Sequence, residues 1–466
     1  MALKLYNSYG RRVVRFVPLK KGEVRMYTCG PTVWNYAHIG NFRTFVFEDL
    51  LRRYLKLKGY RVVQVMNVTD VEDKIIKGIK QFKMDLKQLT SFYEGAFMED
   101  LGTLNVERAE FYPRATEHIP EMVALIHVLL KKGYAYRADE GSVYFRISKF
   151  KRYGRLSGIK PSELIPGARV SQDHYDKEQA QDFVLWKSWD EEDGEVFWET
   201  ELGKGRPGWS IECSAMSMKY LGETFDIHTG GMDNKFPHHE NEIAQSEAAT
   251  GKRFVKYWLH SEFLNISGEE MHKSVGNVVY LRDLVKRGWE PATIRTFLLS
   301  AKYRDPLDLN EEKLAQARAQ RQRLQDFVDR LASVKGEGQG KGVPVAHSIV
   351  RDFEEAMDDD LNTPAALAAV FKAVKRVNRR LDEGQVGERE AKALVEEVKR
   401  VDSVLGVLKF VSGRLPAKAQ LLMKQREEAR AKKDFATADR LREELRKIGV
   451  TVEDGPTGTS WKLGSG

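Results

Sequence analysis

A parallel α/β sheet, interrupted by an inserted α+β segment and followed by a largely helical half, is the fold class that the 466-residue sequence predicts. Three observations carry the prediction. An apolar, β-branched run (Val24, Met26, Thr28) ends at Gly30-Pro31, a helical pattern fills Phe42 to Leu57, Gly59 stops it, and Arg61 to Val68 reads as a second strand. That strand-loop-helix-strand order is the shape of a Rossmann-like nucleotide-binding unit, in which ligands collect where the strands end. Between Tyr134 and Glu199 the pattern changes to short strands and turns, and beyond Tyr280 it is helical almost to the end.

Each element follows from local signals. From Asp70 a charged helical stretch runs to about Arg108, and a helix through MVALIHVLLKKG starts near Thr116, a candidate cap, and stops at Gly133. The strand-and-turn segment comes next. Gly208 then feeds a helix ending near Gly222, Phe225 to His228 is a strand running into Thr229-Gly230-Gly231, and Pro237 opens a helix to about Ala249. Tyr257 to Ile266 reads as one strand, and Ser267 to Asn277 as the loop that carries Lys273. Helices are expected over Leu281 to Arg287, Ala292 to Ala301, Glu311 to Val334, Ser348 to Asp359, Thr363 to Leu381 and Glu388 to Leu405, the last three as a bundle. The Gly/Lys-rich piece that begins at Lys335 is the clearest linker. Ala417 to Leu463 has a helix-turn-helix look with a strand-like tail, Val450 to Glu453.

Composition narrows the class. With 42% hydrophobic and 31% charged residues the chain reads as a soluble globular protein of two to four domains. No apolar run approaches membrane-spanning length and the start lacks a secretory segment, so a cytoplasmic address and no membrane partner are expected. A net charge of +8 favours contact with polyanions without demanding it. The two cysteines, Cys29 and Cys213, are no disulfide framework; buried thiols or metal ligands are the alternatives.

The metal alternative gains weight from His238 and Glu242. One helical turn apart, they project onto one face, and zinc takes thiolate, imidazole and carboxylate ligands together. The plainer reading makes both cysteines small core residues and His238-His239 an ordinary helix start. A second pair of motifs lies at His38 to Asn41 (HIGN) and at Glu270-Met271-His272-Lys273-Ser274.

HIGN resembles the HIGH signature of class I aminoacyl-tRNA synthetases, and the Glu270 to Ser274 string resembles their KMSKS loop. The longer strings CGPTVWNYAHIGN, NVTDVEDKIIK, GWSIECSAMS, FDIHTGG and FPHHENEIAQSEA resemble the cysteinyl-tRNA synthetase family over nearly the whole chain. The resemblance implies ATP-dependent activation of L-cysteine through cysteinyl-adenylate and its transfer to tRNA(Cys), with an active-site Zn²⁺ binding the substrate thiolate, and a monomer is the expected form. It implies Cys29, Cys213, His238 and Glu242 as zinc ligands, with His239 the neighbour not selected, and Cys29, Thr69 and Trp209 at the cysteine. His38, Asn41 and Lys273 are implied at ATP with its Mg²⁺, His38 and Lys273 as the catalytic pair.

The chain departs from the family pattern where Asn41 replaces the last His of HIGH and where Glu270 and His272 replace the first Lys and first Ser of KMSKS. Asn41 still donates a hydrogen bond; Glu270 cannot attract phosphate, which leaves Lys273 as the cation. The plainer readings make His38 a helix cap, Lys273 a solvated lysine, Thr69 a cap and Trp209 a core aromatic.

At the other end, the charged segment Arg426 to Trp461 resembles the family's anticodon-contacting end, with Arg430, Lys432, Lys433, Arg440 and Trp461 as candidates for phosphate contact and base stacking. A solvated helix carrying ion pairs is the alternative. The family's pyridoxal-phosphate-dependent persulfide side reaction would involve Lys74 and Lys77. The implied organisation is a catalytic domain in two halves (1–120 and 200–290), an inserted connective domain (121–199), stem-contact and linking helices (291–334), a linker (335–344), a tRNA-binding helical bundle (345–412) and an anticodon-contacting module (413–463). Two rivals remain: a ligase joining cysteine to an amino-sugar, and a zinc-containing RNA-binding protein without catalysis.

Overall fold

A computed structural model gives the fold over residues 2–159, 182–271, 277–338, 348–410, 417–432, 434–448, 450–455 and 458–463. The chain forms two compact units, one made of Met1–Arg318, Glu354–Leu367 and Ser403–Gly406, the other of Ala319–Phe353, Ala368–Asp402 and Val407–Gly466.

The first unit opens with a hairpin of β1 (Lys4–Asn7) and β2 (Arg12–Arg15), which sequence reasoning did not anticipate because its short strands lack apolar alternation. Then come β3 (Glu23–Thr28), α1 (Ile39–Leu57) and β4 (Arg61–Met66), the predicted unit. Helix α1 begins three residues earlier than expected, since the His38 side chain caps it: Nδ1 accepts from Asn41 N–H at 3.2 Å while Asn41 Oδ1 accepts from His38 N–H at 3.0 Å. The long helical stretch expected from Asp70 is two helices, α2 (Asp73–Phe82) and α3 (Leu86–Thr103). Lys83 breaks it in the left-handed conformation (φ 52°), and Asp85 with Gln88 caps the second helix. Thr116 is no cap for α4 (Ile119–Lys131); its hydroxyl donates to Asp70 at 2.6 Å.

The insertion supplies β5 (Ala135–Arg137), β6 (Val143–Phe145), β7 (Phe183–Ser188), β8 (Trp198–Thr200) and β9 (Gly203–Pro207). They pair antiparallel in the order β5-β6-β7-β9-β8. The second half of the main sheet follows with α5 (Trp209–Leu221), β10 (Phe225–Gly231), α6 (His238–Thr250) and β11 (Val255–Ser261). The expected strand from Tyr257 to Ile266 is in fact two, because after β11 the chain starts β12 (Leu264–Ile266) in a separate sheet with β13 (Glu269–Glu270). Helices α7 (Leu281–Lys286) and α8 (Pro291–Leu298) lead to β14 (Leu307–Leu309), which pairs parallel with β12.

The main sheet has the order β11-β10-β3-β4, all parallel. Strands β3 and β10 meet in the middle and the chain winds outward from them in both directions, so the crevice beyond their carboxyl ends is a topological switch point, where open α/β sheets bind ligands. One apolar core, with Tyr27, Val65, Phe145, Trp186, Ile211 and Trp258 among its members, joins this sheet to the inserted one.

The remaining helices are α9 (Glu311–Ser333), α10 (Ser348–Met357), α11 (Thr363–Asp382), α12 (Glu388–Leu405), α13 (Ala417–Ala431) and α14 (Phe435–Lys447). Strands β15 (Val450–Gly455) and β16 (Gly458–Leu463) form an antiparallel hairpin where a single strand was expected. Ala419, Leu422, Met423, Leu441, Leu445, Val450 and Val452 give this end a core of its own. Most of the expected linker lies outside the described residues.

Candidate active site and metal cluster

The switch point holds a cavity of about 360 Å³, lined among others by Cys29, His38, Thr69, Lys74, Trp209 and His238. Their positions follow from the elements. Cys29 is the first residue past β3, and its N–H donates to Thr229 O of neighbouring β10 at 3.1 Å. Thr69 follows β4, His238 opens α6 and Trp209 opens α5. Trp209 is 40% exposed and its ring lies 4.1 Å from that of His238, stacked, so it is a cavity wall and not a core aromatic.

Beneath the cavity, ligand atoms of Cys29, His238, His239 and Glu242 lie within 4.8 Å of one another, all buried. Cys213, on α5, packs its thiol against Cys29 and His238. Glu242 Oε1 is 3.1 Å from His238 Nε2 yet makes no aligned hydrogen bond, so the two atoms face a shared point instead of each other. Their outer atoms are held: His238 Nδ1 by Ser210 Oγ at 3.2 Å and Glu242 Oε2 by His228 Nε2 at 2.9 Å. Outer partners of this kind orient the ligands of a metal. His239 differs, since both its nitrogens are engaged, Nε2 with Cys29 Sγ at 3.1 Å and Nδ1 with His260 Nε2 at 2.9 Å.

The electrostatics suit a cation. Burial and the adjacent Cys213 push the Cys29 thiol up, while Cys213, despite burial, is brought down to about 6 by its hydrogen bonds with Cys29 and His238. Two thiols in contact therefore favour one thiolate. Burial and the neighbouring rings of His228 and His260 keep His239 well below the usual histidine range, hence neutral. Soft sulfur, imidazole and carboxylate donors, converging in a dry place with fixed outer atoms, fit a divalent metal of the zinc type.

At the mouth, His38 and Asn41 both line the cavity. Because His38 Nδ1 accepts from the backbone, its ring proton sits on Nε2; because Asn41 Oδ1 accepts, its amide N–H groups are what it has to offer. The capping role and a ligand role are therefore compatible. Lys273 and His272 lie outside the described residues, and Glu270 closes β13. Lys74 lines the cavity from α2, whereas Lys77 is exposed. Arg430 sits on α13, exposed Arg440 on α14 and Trp461 on β16, opposite Val452; Lys432 is exposed and Lys433 lies outside the described residues. Sequence reasoning missed His228, His260, Ser210, Asn67 and Glu212. The signal that could have found them is that four of the five, all but His260, lie in the strings NVTDVEDKIIK, GWSIECSAMS and FDIHTGG.

Comparison with known proteins bears on this arrangement. Residues 15–319 match the family described as tRNA synthetases class I (C) catalytic domain, residues 352–409 the DALR domain and residues 412–461 the cysteinyl-tRNA ligase anticodon binding domain. Among solved structures, Mycobacterium tuberculosis methionyl-tRNA synthetase bound by methionyl-adenylate superposes with a TM-score of 0.62 at 14% identity, over 82% of this chain and 92% of that one. A parallel sheet split by an insertion, with its cavity at the switch point, is thus the catalytic fold of a class I aminoacyl-tRNA synthetase. Cysteine–tRNA ligase of Protochlamydia amoebophila is 45% identical over 99% of this chain and 98% of its own, and that of Chlamydia pneumoniae 46% over the same shares. The chain belongs to the cysteine–tRNA ligase family.

Proposed function

We propose that the protein activates L-cysteine with ATP, forming cysteinyl-adenylate and pyrophosphate, and passes the cysteinyl group to tRNA(Cys). The observation that supports this reading is the buried group of Cys29, His238, His239 and Glu242 beside the switch-point cavity, with Cys213 against Cys29 and His238. Cys29, Cys213, His238 and Glu242 are the proposed zinc ligands, with His239 held to the Cys29 sulfur as a neutral hydrogen-bonding neighbour. When bound, zinc supplies a site that takes the substrate sulfur as thiolate, a bond that the hydroxyl of serine makes far less well. A shaped pocket alone discriminates near-isosteres only roughly 10- to 200-fold, so a sulfur-selective bond removes the need for editing.

The chain's own side chains do the positioning. Trp209 and Thr69 wall the amino-acid end of the cavity. His38 through Nε2 and Asn41 through its amide are the proposed donors to ATP phosphates, with Lys273 as the cation and Mg²⁺ on the phosphates. The attack of the cysteine carboxylate on the α-phosphorus needs alignment and charge stabilisation more than a protein nucleophile. Arg430, Arg440 and Trp461 are the proposed anticodon-end contacts, and residues 413–463 the proposed module that carries them. No helix among the described residues is long and apolar enough to cross a membrane, and both cysteines are free; a cytoplasmic monomer is the proposed working form. The match of residues 412–461 to an anticodon binding domain favours tRNA over an amino-sugar as acceptor.

Cysteine-dependent ATP–pyrophosphate exchange together with tRNA cysteinylation tests the reading; absence of exchange defeats it. Lys273→Ala should lower exchange by about a hundredfold or more while bound zinc stays at the wild-type level.

A further inference from the structure

Behind the amino-acid end of the cavity runs a chain of buried polar groups. Gly30 at the end of β3 lies so close to the end of β4 that a Cβ there would come within 1.7 Å of the Asn67 carbonyl oxygen, and its N–H donates to Asn67 Oδ1 at 2.9 Å. That contact sets the Asn67 amide, leaving Nδ2 to donate to Thr69 Oγ1 at 3.1 Å. Thr69 Oγ1 in turn donates to Glu212 Oε2 at 3.1 Å. The Thr69 backbone is pinned as well, its N–H on Pro31 O at 3.0 Å and its carbonyl taking Val33 N–H at 3.1 Å. Asn67 and Thr69 line the cavity; Glu212, fully buried, stands behind them, and its Oε1 has no hydrogen-bond partner among the described residues.

A hydroxyl has one proton and two acceptor lone pairs. The Thr69 proton is committed to Glu212 and one lone pair to Asn67, so what remains for the cavity is a single acceptor. We propose that Asn67 and Glu212 are positioning residues that hold the Thr69 hydroxyl as an acceptor for the α-ammonium group of the amino-acid substrate. The proposal rests on reading this cavity as the cysteine-activation site. Of the two α-substituents of an amino acid, only the ammonium donates; the carboxylate, which must reach the α-phosphorus, finds no donor at Thr69. The arrangement therefore sorts the two groups and turns the carboxylate towards ATP, while the sulfur end is held elsewhere.

Asn67→Asp keeps an acceptor for Gly30 N–H and replaces the donor to Thr69 with an acceptor, which turns the hydroxyl proton away from Glu212. In pyrophosphate exchange this variant should raise the KM for cysteine roughly tenfold or more, leaving the KM for ATP and the bound zinc as in the wild type. Cysteamine, which has thiol and ammonium but no carboxylate, should inhibit it roughly tenfold more weakly, whereas 3-mercaptopropionate, which lacks the ammonium, should inhibit both proteins alike. Thr69→Val should match these effects, and the double variant should be no worse than Thr69→Val alone. Glu212→Gln, which preserves an acceptor for the hydroxyl, should stay near the wild-type KM while Glu212→Leu should behave like Thr69→Val. Additive effects in the double variant, an equal rise in the KM for ATP, or equal weakening of both inhibitors would each overturn the proposal. A wild-type protein without cysteine-dependent exchange overturns the proposed function itself; an active wild type with an unchanged Asn67→Asp variant overturns this inference alone.

Discussion

At the scale of single residues, the metal cluster separates groups that face a common point from groups that face each other. His238 and Glu242 present Nε2 and Oε1 side by side while Ser210 and His228 hold their outer atoms. His239, equally buried and adjacent in sequence, spends both nitrogens on Cys29 and His260. Cys213→Ser removes the thiol that is easiest to ionise; bound zinc should fall to background and cysteine-dependent exchange should weaken, measured by metal analysis and exchange assay on one sample. Full zinc occupancy in that variant would exclude Cys213 as a ligand.

At the scale of elements, α1 carries two adjacent buried carboxylates with opposite fates. Asp49 is satisfied by Arg295, whose guanidinium also donates to Leu405 O at 2.6 Å and Leu104 O at 3.0 Å. Both side chains are fully buried; Arg295→Ala takes the donor from two carbonyls while Asp49 keeps Arg53 at 2.7 Å and Glu107 N–H at 2.9 Å, so it should destabilise the first unit by about 2–4 kcal/mol, read from its denaturant midpoint. Glu48, one residue away, has among the described residues only the Thr229 hydroxyl as a hydrogen-bond partner, at 2.7 Å, and burial pushes its carboxyl up to about 8. The folded value lies above the unfolded one, so folding retains a proton that the unfolded chain loses. This contribution is whole below the ordinary carboxylate range and is lost as pH rises towards and through 8. Glu48→Gln should therefore unfold like the wild type near pH 5 and be more stable at pH 8.5, by up to about 4 kcal/mol, in urea titrations at the two pH values.

At the scale of the whole molecule, the C-terminal helices α13 and α14 and their hairpin hold together through a core of their own. Removing the chain from Ala417 onward should spare pyrophosphate exchange, which depends on the switch-point cavity, and depress tRNA cysteinylation; unaltered cysteinylation would take this segment out of RNA recognition.

Much of this is legible in the sequence. The period of apolar residues marked α1 because a helix must bury one face, Pro237 marked the start of α6, and Gly59, Gly133 and Gly222 marked ends because their positive φ suits glycine. The turn-spaced pair His238 and Glu242 was legible for the same geometric reason. Less legible was anything set by a partner distant in sequence. The chain from Tyr257 to Ile266 looks like one strand, yet belongs to two sheets because its neighbours β10 and β14 differ.

What the sequence by itself determined is the set of local shapes and the identity of the chemical groups, since helix period, turn residues and donor type are properties of neighbours along the chain. Only the tertiary structure decided that Cys29 and Cys213 meet, that His239 joins the same buried group with both nitrogens engaged, and that Asn67 and Glu212 meet at Thr69. Those contacts depend on β3 pairing with β10 and on α5 and α6 closing over the strand ends, and such long-range pairings leave no trace in any short window of residues.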